Sequence, residues 1–299
     1  MVRVSIVTPV MNEMQRIDNY LDQFRMQLVP PFELIFVDAS KDSALVDYLE
    51  CAKKEMPYIH VYKQSGGATG TANAMNQGVD AATGDVVLIL GVDAILASDF
   101  VKTISDGFEM LKASDAVSFE LDPIDIPLHS WVETAYYYRD KSRWLANPTF
   151  WHYRREVFPR FPAGLGYGED KVWLSECEKV RLRHVTGDSN LKLSHFITGP
   201  VTVRDIYRRY SWYGRTGMRY YRASGDKAHL VKMFLAVLSI PFLPLCIIPA
   251  ARGFFYASRV WREYPDGLVT IPLVEALAFP FMAIGFWQSL FKKSVARDA

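Results

Sequence analysis

The sequence predicts an α/β fold with a mostly parallel central sheet over residues 1–198, followed by an apolar, membrane-associated helical hairpin. Three observations lead there. Short β-branched apolar runs alternate with amphipathic segments through the first two thirds of the chain. An arginine- and aromatic-rich stretch begins near residue 199, and two long apolar segments follow residue 231.

Taken in order, "RVSIVTPV" is a strand, residues 13–28 a helix, "FELIFVDA" a strand, 42–55 a helix, "YIHVYKQ" a strand, 70–82 a helix, and "DVVLILGV" a strand. Runs this apolar belong to parallel strands covered on both faces, the product of successive βαβ units. Ligands of such sheets sit beyond the carboxyl ends of the strands. Chemistry is therefore expected at residues 9–13, 38–42 and 91–94. The glycine-rich "GGATGTANAMNQG" superficially resembles a dinucleotide fingerprint, but its spacing and its place after the third strand favour a tight turn opening a helix.

A formal net charge of +1 over 299 residues argues against a dedicated nucleic-acid binder. Cys51, Cys177 and Cys246 are odd in number and fit no metal-ligand spacing, which points to a reducing, cytosol-facing compartment. The opening "VRVSIVTPV" is too short an apolar run for a secretory signal.

Residues 199–230 interleave Arg204, Arg208, Arg209, Arg215, Arg219 and Arg222 with tyrosines and Trp212. That pattern suits single-stranded nucleic acid or a membrane interface. The uncharged run 233–251 and the run 267–291, whose one charge is Glu275, decide for the membrane. Pro241, Pro244, Pro249, Pro272 and Pro280 favour kinked or re-entrant helices. Lys227, Lys232, Lys292, Lys293 and Arg297 put both outer ends on the cytosolic side, whereas Arg252, Arg259 and Arg262 lie between the segments; a shallow monotopic hairpin reconciles the two. Three regions result: 1–198 catalytic, 199–230 interfacial, and 231–299 two apolar helices. Glu275 is expected to face a protein neighbour.

The ordered set "VSIVTPVMNE", "ELIFVDASKD", "ANAMNQGVDAATGDVVLILGVDA", "TFWHYRREVF", "GYGEDKVWLSE", "LSHF" and "RRYSWYGR" resembles the inverting glycosyltransferases of family 2, which have the GT-A fold, over residues 2–216. The basic-aromatic stretch and apolar hairpin resemble the membrane-attached members that act on polyprenyl phosphate or lipid-linked sugars. The resemblance implies a nucleotide-diphosphate sugar bound by Pro9, Glu13, Asp38, Asn76 and Asp93, with Met75 replacing an arginine of the family pattern. It implies Mg²⁺ or Mn²⁺ at Asp93 and His195, with weakened affinity because Gly91 stands where the family has the first acid of Asp-x-Asp. Asp170 is then the catalytic base and Glu169 its neighbour, while Arg155, Arg208, Arg209 and Arg215 meet acceptor or lipid phosphate. Asp85 reads equally as part of that pattern or as a helix-to-strand turn residue. The implied location is the cell membrane, with the catalytic part in the cytoplasm. The alternatives are a nucleotidyltransferase, a non-catalytic membrane scaffold and a processive synthase; "PVMNEMQR", the retained acids and the two apolar segments speak against them in turn.

Overall fold

The computed structural model describes residues 2–65, 70–109, 115–121, 128–144, 150–166, 168–179, 183–186, 192–195 and 201–291. The chain divides into two compact units. The first comprises Met1–Ile124, Pro148–Gly164 and Trp173–Phe196, and the second Asp125–Asn147, Leu165–Val172 and Ile197–Ala299.

In the first unit β1 (Val4–Val10), α1 (Met14–Arg25), β2 (Glu33–Asp38), α2 (Ala44–Ala52), β3 (Ile59–Lys63), α3 (Thr71–Ala81) and β4 (Val86–Ile89) come in the expected order. Strands β3, β2, β1 and β4 are parallel neighbours. β1 and β2 are buried almost throughout, as parallel strands covered on both faces must be. Beyond β4 the sheet turns mixed. β7 (Phe150–Arg154) runs antiparallel between β4 and β6 (Asp115–Leu121), and β8 (Arg183–Thr186) and β9 (Lys192–His195) run parallel to β6. The short β5 (Ala94–Ile95) pairs antiparallel with β9, and α4 (Phe100–Glu109) comes after it.

Polar ties hold the amino-terminal edge of this sheet. Buried Glu33 accepts from the Ser5 hydroxyl at 2.6 Å and from the backbone N–H groups of Thr83 and Gly84. Arg3 grips Asp85 at 2.8 Å and donates its own backbone N–H to it at 2.9 Å. Asp85 is thus the turn residue between α3 and β4, at the edge remote from the carboxyl ends.

The second unit is helical: α5 (Trp131–Trp144), the first turn of α6 (Glu169–Lys179), α7 (Val203–Ser224), α8 (Lys227–Leu238), α9 (Ile247–Val260) and α10 (Gly267–Phe291). α7 starts with a reciprocal capping box between Thr202 and Asp205 and stops at Gly225, whose φ is +68°. α10 is the axis, burying Ile271, Val274, Ala278, Phe279, Met282 and Ala283. Side chains at Gly214 or Gly285 would strike the opposite helix backbone, so α7 and α10 pack closely at this pair.

Three expectations change. The division is not contiguous at residue 198, because 125–147 and 165–172 pack with the C-terminal helices. The 199–230 stretch falls in the same compact unit as the helices that follow it. The run 233–251 is not one helix: α8 ends at Leu238, a 3-10 turn occupies Leu243–Cys246, and α9 starts at Ile247. Pro241 and Pro244 account for the break, since neither offers an N–H to a continuing helix. Among the described residues only α10 is long and apolar enough to cross a membrane, and part of it is buried inside the unit. Its Glu275 is fully buried, ion-paired to Arg252 and 3.7 Å from Arg139. Arg139 in turn holds Asp140 at 2.7 Å and donates to the Tyr210 hydroxyl at 3.0 Å. A carboxylate in an apolar helix is tolerated through this compensation.

Candidate active site

Because β2, β1 and β4 are parallel neighbours, the segments that leave their carboxyl ends share one rim of the sheet. The first bends sharply: Asn12 has φ +60°, a left-handed geometry that asparagine tolerates, and its N–H is fixed by the Ser40 hydroxyl at 2.9 Å. The bend sets Glu13 at the start of α1, where Arg16 pairs with it at 3.2 Å. Pro9, in register with Val37, is half-buried at the end of β1.

After β4 the chain makes a turn closed by the Ala94 N–H on the Gly91 carbonyl at 3.1 Å, with half-buried Asp93 at its tip. Gln23 of α1 clamps the chain just past this turn, accepting from the Leu96 N–H at 2.6 Å and donating to the Ala94 carbonyl at 3.1 Å. A Cβ on Gly91 would collide with the Asp93 carboxylate. The space of a side chain at 91 is therefore already used by Asp93.

Asp93 acts electrostatically on two neighbours. Partial burial raises the Glu13 carboxyl above its ordinary range; Arg16 opposes that and the Asp93 charge adds to it. Tyr20, fully buried with its hydroxyl 2.7 Å from Thr8, is raised by burial first and by Asp93 as well. Two carboxylates thus lean on one another at the rim, an arrangement that a cation or a hydroxyl donor relieves. The β5–β9 register sets His195 opposite Ala94, the residue after Asp93; the His195 side chain lies outside the described residues.

Other expected donor contacts are engaged elsewhere. Asp38 has no exposed surface: its Oδ1 accepts the Ser40 N–H at 2.9 Å and hydroxyl at 2.5 Å, and its Oδ2 pairs with Lys63 at 2.6 Å. Through these partners it organises the loop after β2. The Asn76 amide is occupied twice by the Phe161 backbone, donating and accepting at 2.8 Å, so it ties α3 to the segment after β7. Arg155 donates from Nε to the Gly84 carbonyl at 3.2 Å, which puts it at the amino-terminal edge instead of beside a phosphate at the rim. The Arg154 side chain and residues 66–69 of the glycine-rich turn lie outside the described residues.

In the helical unit, Glu169 and Asp170 form the first turn of α6, where Glu169 is half-buried and Asp170 exposed. Gly164, Gly166 and Gly168 all have φ near +80° (80°, 79° and 78°), a region closed to most side chains. A Cβ at Gly166 would press on Thr216 of α7, and one at Gly168 on Tyr220. Gly166 and Gly168 thereby seat the loop tightly on α7 and fix where the acid pair emerges; the alternating glycines of "AGLGYGED" are the signal in the sequence for it. On α7 itself, Arg208 is 3.7 Å from Asp205 and exposed, Arg209 lies 5.1 Å over the Tyr136 ring, and Arg215 donates to Gln288 of α10 at 3.0 Å.

The model of the family "Glycosyl transferase family 2" matches residues 5–158. The chain belongs to that family. No curated protein matches it significantly. Among solved structures it is similar to mannosyltransferase PcManGT from Pyrobaculum calidifontis in complex with GDP-Man and Mn²⁺, at 17% identity and TM-score 0.59, over 98% of this chain and 88% of that one. It is also similar to S. aureus TarS 1–349 in complex with UDP, at 15% identity and TM-score 0.51, over 97% and 91%. Glucosyl-3-phosphoglycerate synthase from Mycobacterium tuberculosis, in complex with Mn²⁺, UDP and glucosyl-3-phosphoglycerate, is similar at 16% identity and TM-score 0.50, over 75% and 80%. The fold is GT-A and the chain is a glycosyltransferase.

Among the described residues no three metal-ligating side chains gather. Asp93 offers a hard oxygen of the kind a divalent ion takes, and diphosphate and water oxygens would fill the other positions of its shell.

Proposed function

We propose that this family 2 member is a membrane-attached, inverting glycosyltransferase that moves a sugar from a nucleotide-diphosphate donor to a lipid-linked acceptor. The observation that carries the donor side is the Glu13–Asp93 pair at the rim, where half-burial and mutual repulsion favour a cationic or hydroxyl-bearing ligand. Glu13 accepts ribose hydroxyls, Pro9 shapes the floor beside them, and Asp93 is the acid turned to the metal-diphosphate group, with His195 a second ligand. Asp93 and His195 would hold a divalent ion there, which would supply charge neutralisation for the departing nucleoside diphosphate. That the similar structures were solved with Mn²⁺ supports the choice of ion.

Asp170 is the base that takes the acceptor proton as its oxygen displaces the nucleotide, and Glu169 orients it. For a lipid phosphate, already anionic, Asp170 positions more than it deprotonates. The acceptor class rests on the helical unit: Phe234, Phe242, Ile247, Phe254 and Phe291 are large, apolar and exposed, more than a soluble surface usually leaves uncovered. Exposed Arg208 and Arg209 suit lipid phosphate. The catalytic part faces the cytoplasm.

The test is a panel of radiolabelled nucleotide sugars offered to detergent-extracted protein with polyprenyl phosphate, with and without Mn²⁺. One donor should yield a labelled, solvent-extractable lipid in a Mn²⁺-stimulated reaction. Nucleotide release only to water, or label only in soluble sugar, would refute the lipid acceptor.

A further inference from the structure

A cleft of about 240 Å³ opens between α8 and α9, with Phe279 of α10 in its wall. Val231, Leu235, Ile248 and Phe279 make it apolar, and the two charged residues lining it, Lys232 and Arg252, are both cations. The elements around it point large apolar side chains outward: Phe234 is 62% exposed, Phe242 59% and Ile247 68%. Arg252 pairs with Glu275 through one terminal nitrogen, and its side chain stays 36% exposed. Two cations lining a greasy slot match a phosphate joined to hydrocarbon.

We infer that this cleft binds an anionic membrane phospholipid, one acyl chain lying along Val231, Leu235, Ile248 and Phe279 and the phosphodiester held by Lys232 and Arg252. The inference rests on the membrane attachment proposed above and deepens it from a surface to a site. The volume is below the roughly 300–1,000 Å³ of a site that encloses a whole small molecule. It suits a chain segment whose remainder stays in the bilayer. It is distinct from the α7 arginines: Arg215 is engaged with Gln288, nine residues beyond Phe279 and so about 13 Å further along α10.

The experiment uses the full chain in two formats. In native mass spectrometry from detergent, wild type should retain one phosphatidylglycerol per chain in preference to phosphatidylcholine. Lys232→Gln should weaken this about fivefold, the worth of one cation near an anionic surface, and Leu235→Trp, which fills the slot, should do the same. Lys227→Gln, outside the cleft, should bind as wild type. Equal retention of phosphatidylcholine, an equal loss in Lys227→Gln, or saturation by polyprenyl phosphate alone would overturn the inference. In flotation assays, binding to phosphatidylcholine vesicles without any gain from phosphatidylglycerol overturns the site but leaves membrane attachment standing. No flotation on either vesicle overturns both. Unchanged nucleotide-sugar turnover in the variants serves as the check that they fold.

Discussion

Gly91 and Asp93 compete for one volume: the carboxylate of Asp93 folds back over Gly91 to where a Cβ would sit. The obstructing atoms are the end of a side chain, so Gly91→Ala can be accommodated by rotating Asp93 rather than by moving backbone. Thermal stability should hardly change. Turnover at limiting Mn²⁺ should drop roughly ten- to a hundredfold, as displaced catalytic groups commonly cause. Unchanged kinetics beside an unchanged melting temperature would show that the Asp93 orientation is immaterial.

Glu13 is expected to set the acid limb of donor binding. Burial and the Asp93 charge raise its pKa while Arg16 lowers it. Its ionised form is the one that accepts ribose hydroxyls, so binding weakens as pH falls through that raised value. Arg16→Gln removes the opposing charge and should move the limb to higher pH, read from nucleotide affinity across a pH series. A limb that moves down, or stays, removes Glu13 from the donor site.

The Asp38–Lys63 pair should matter for folding more than for recognition. Lys63→Met strands a fully buried carboxylate with only Ser40 as partner, at a cost of roughly 2–3 kcal/mol in denaturant unfolding. Adding Asp38→Asn should restore most of that. Lys63→Met that unfolds like wild type would mean the carboxylate is not relying on the pair.

His229 gives the helical unit an acid sensitivity. It is buried, and burial first, then Lys232 and Lys171 against Asp226, pushes it down to about 4. Below its ordinary value near 6.5 the unfolded chain takes up a proton that the folded one refuses. Stability is therefore complete above about 6.5 and declines as pH falls toward 4, by about 3 kcal/mol in all. His229→Gln should flatten the melting temperature over that window; an unaltered slope would assign the sensitivity elsewhere.

The parallel half of the sheet is legible in the sequence because each strand is a short apolar run bounded by turn residues, and the rim comes from its direction. Asp93 stands out for the same reason, as an acid just past the end of such a run. Asp38 reads as a ligand because its fate depends on pairing: the β2–β3 register sets it beside Lys63, 25 residues on, which no local pattern reveals. Asn76 and Arg155 are likewise engaged by partners distant in sequence, Phe161 and Gly84. The division into units is hidden because residues 125–147 interrupt the strands in sequence yet pack on helices about a hundred residues later. The apolar hairpin reads as two spans since composition registers hydrophobicity, whereas Pro241 and Pro244 decide continuity.

The most direct measurement is calorimetric titration of UDP and GDP into the full chain and into Asp93→Asn, each with and without Mn²⁺. Wild type should bind one nucleotide markedly tighter when Mn²⁺ is present, and Asp93→Asn should lose that gain while keeping its metal-free affinity. An Asp93→Asn chain with the full Mn²⁺-dependent gain would contradict the assignment of Asp93 to the metal-diphosphate site.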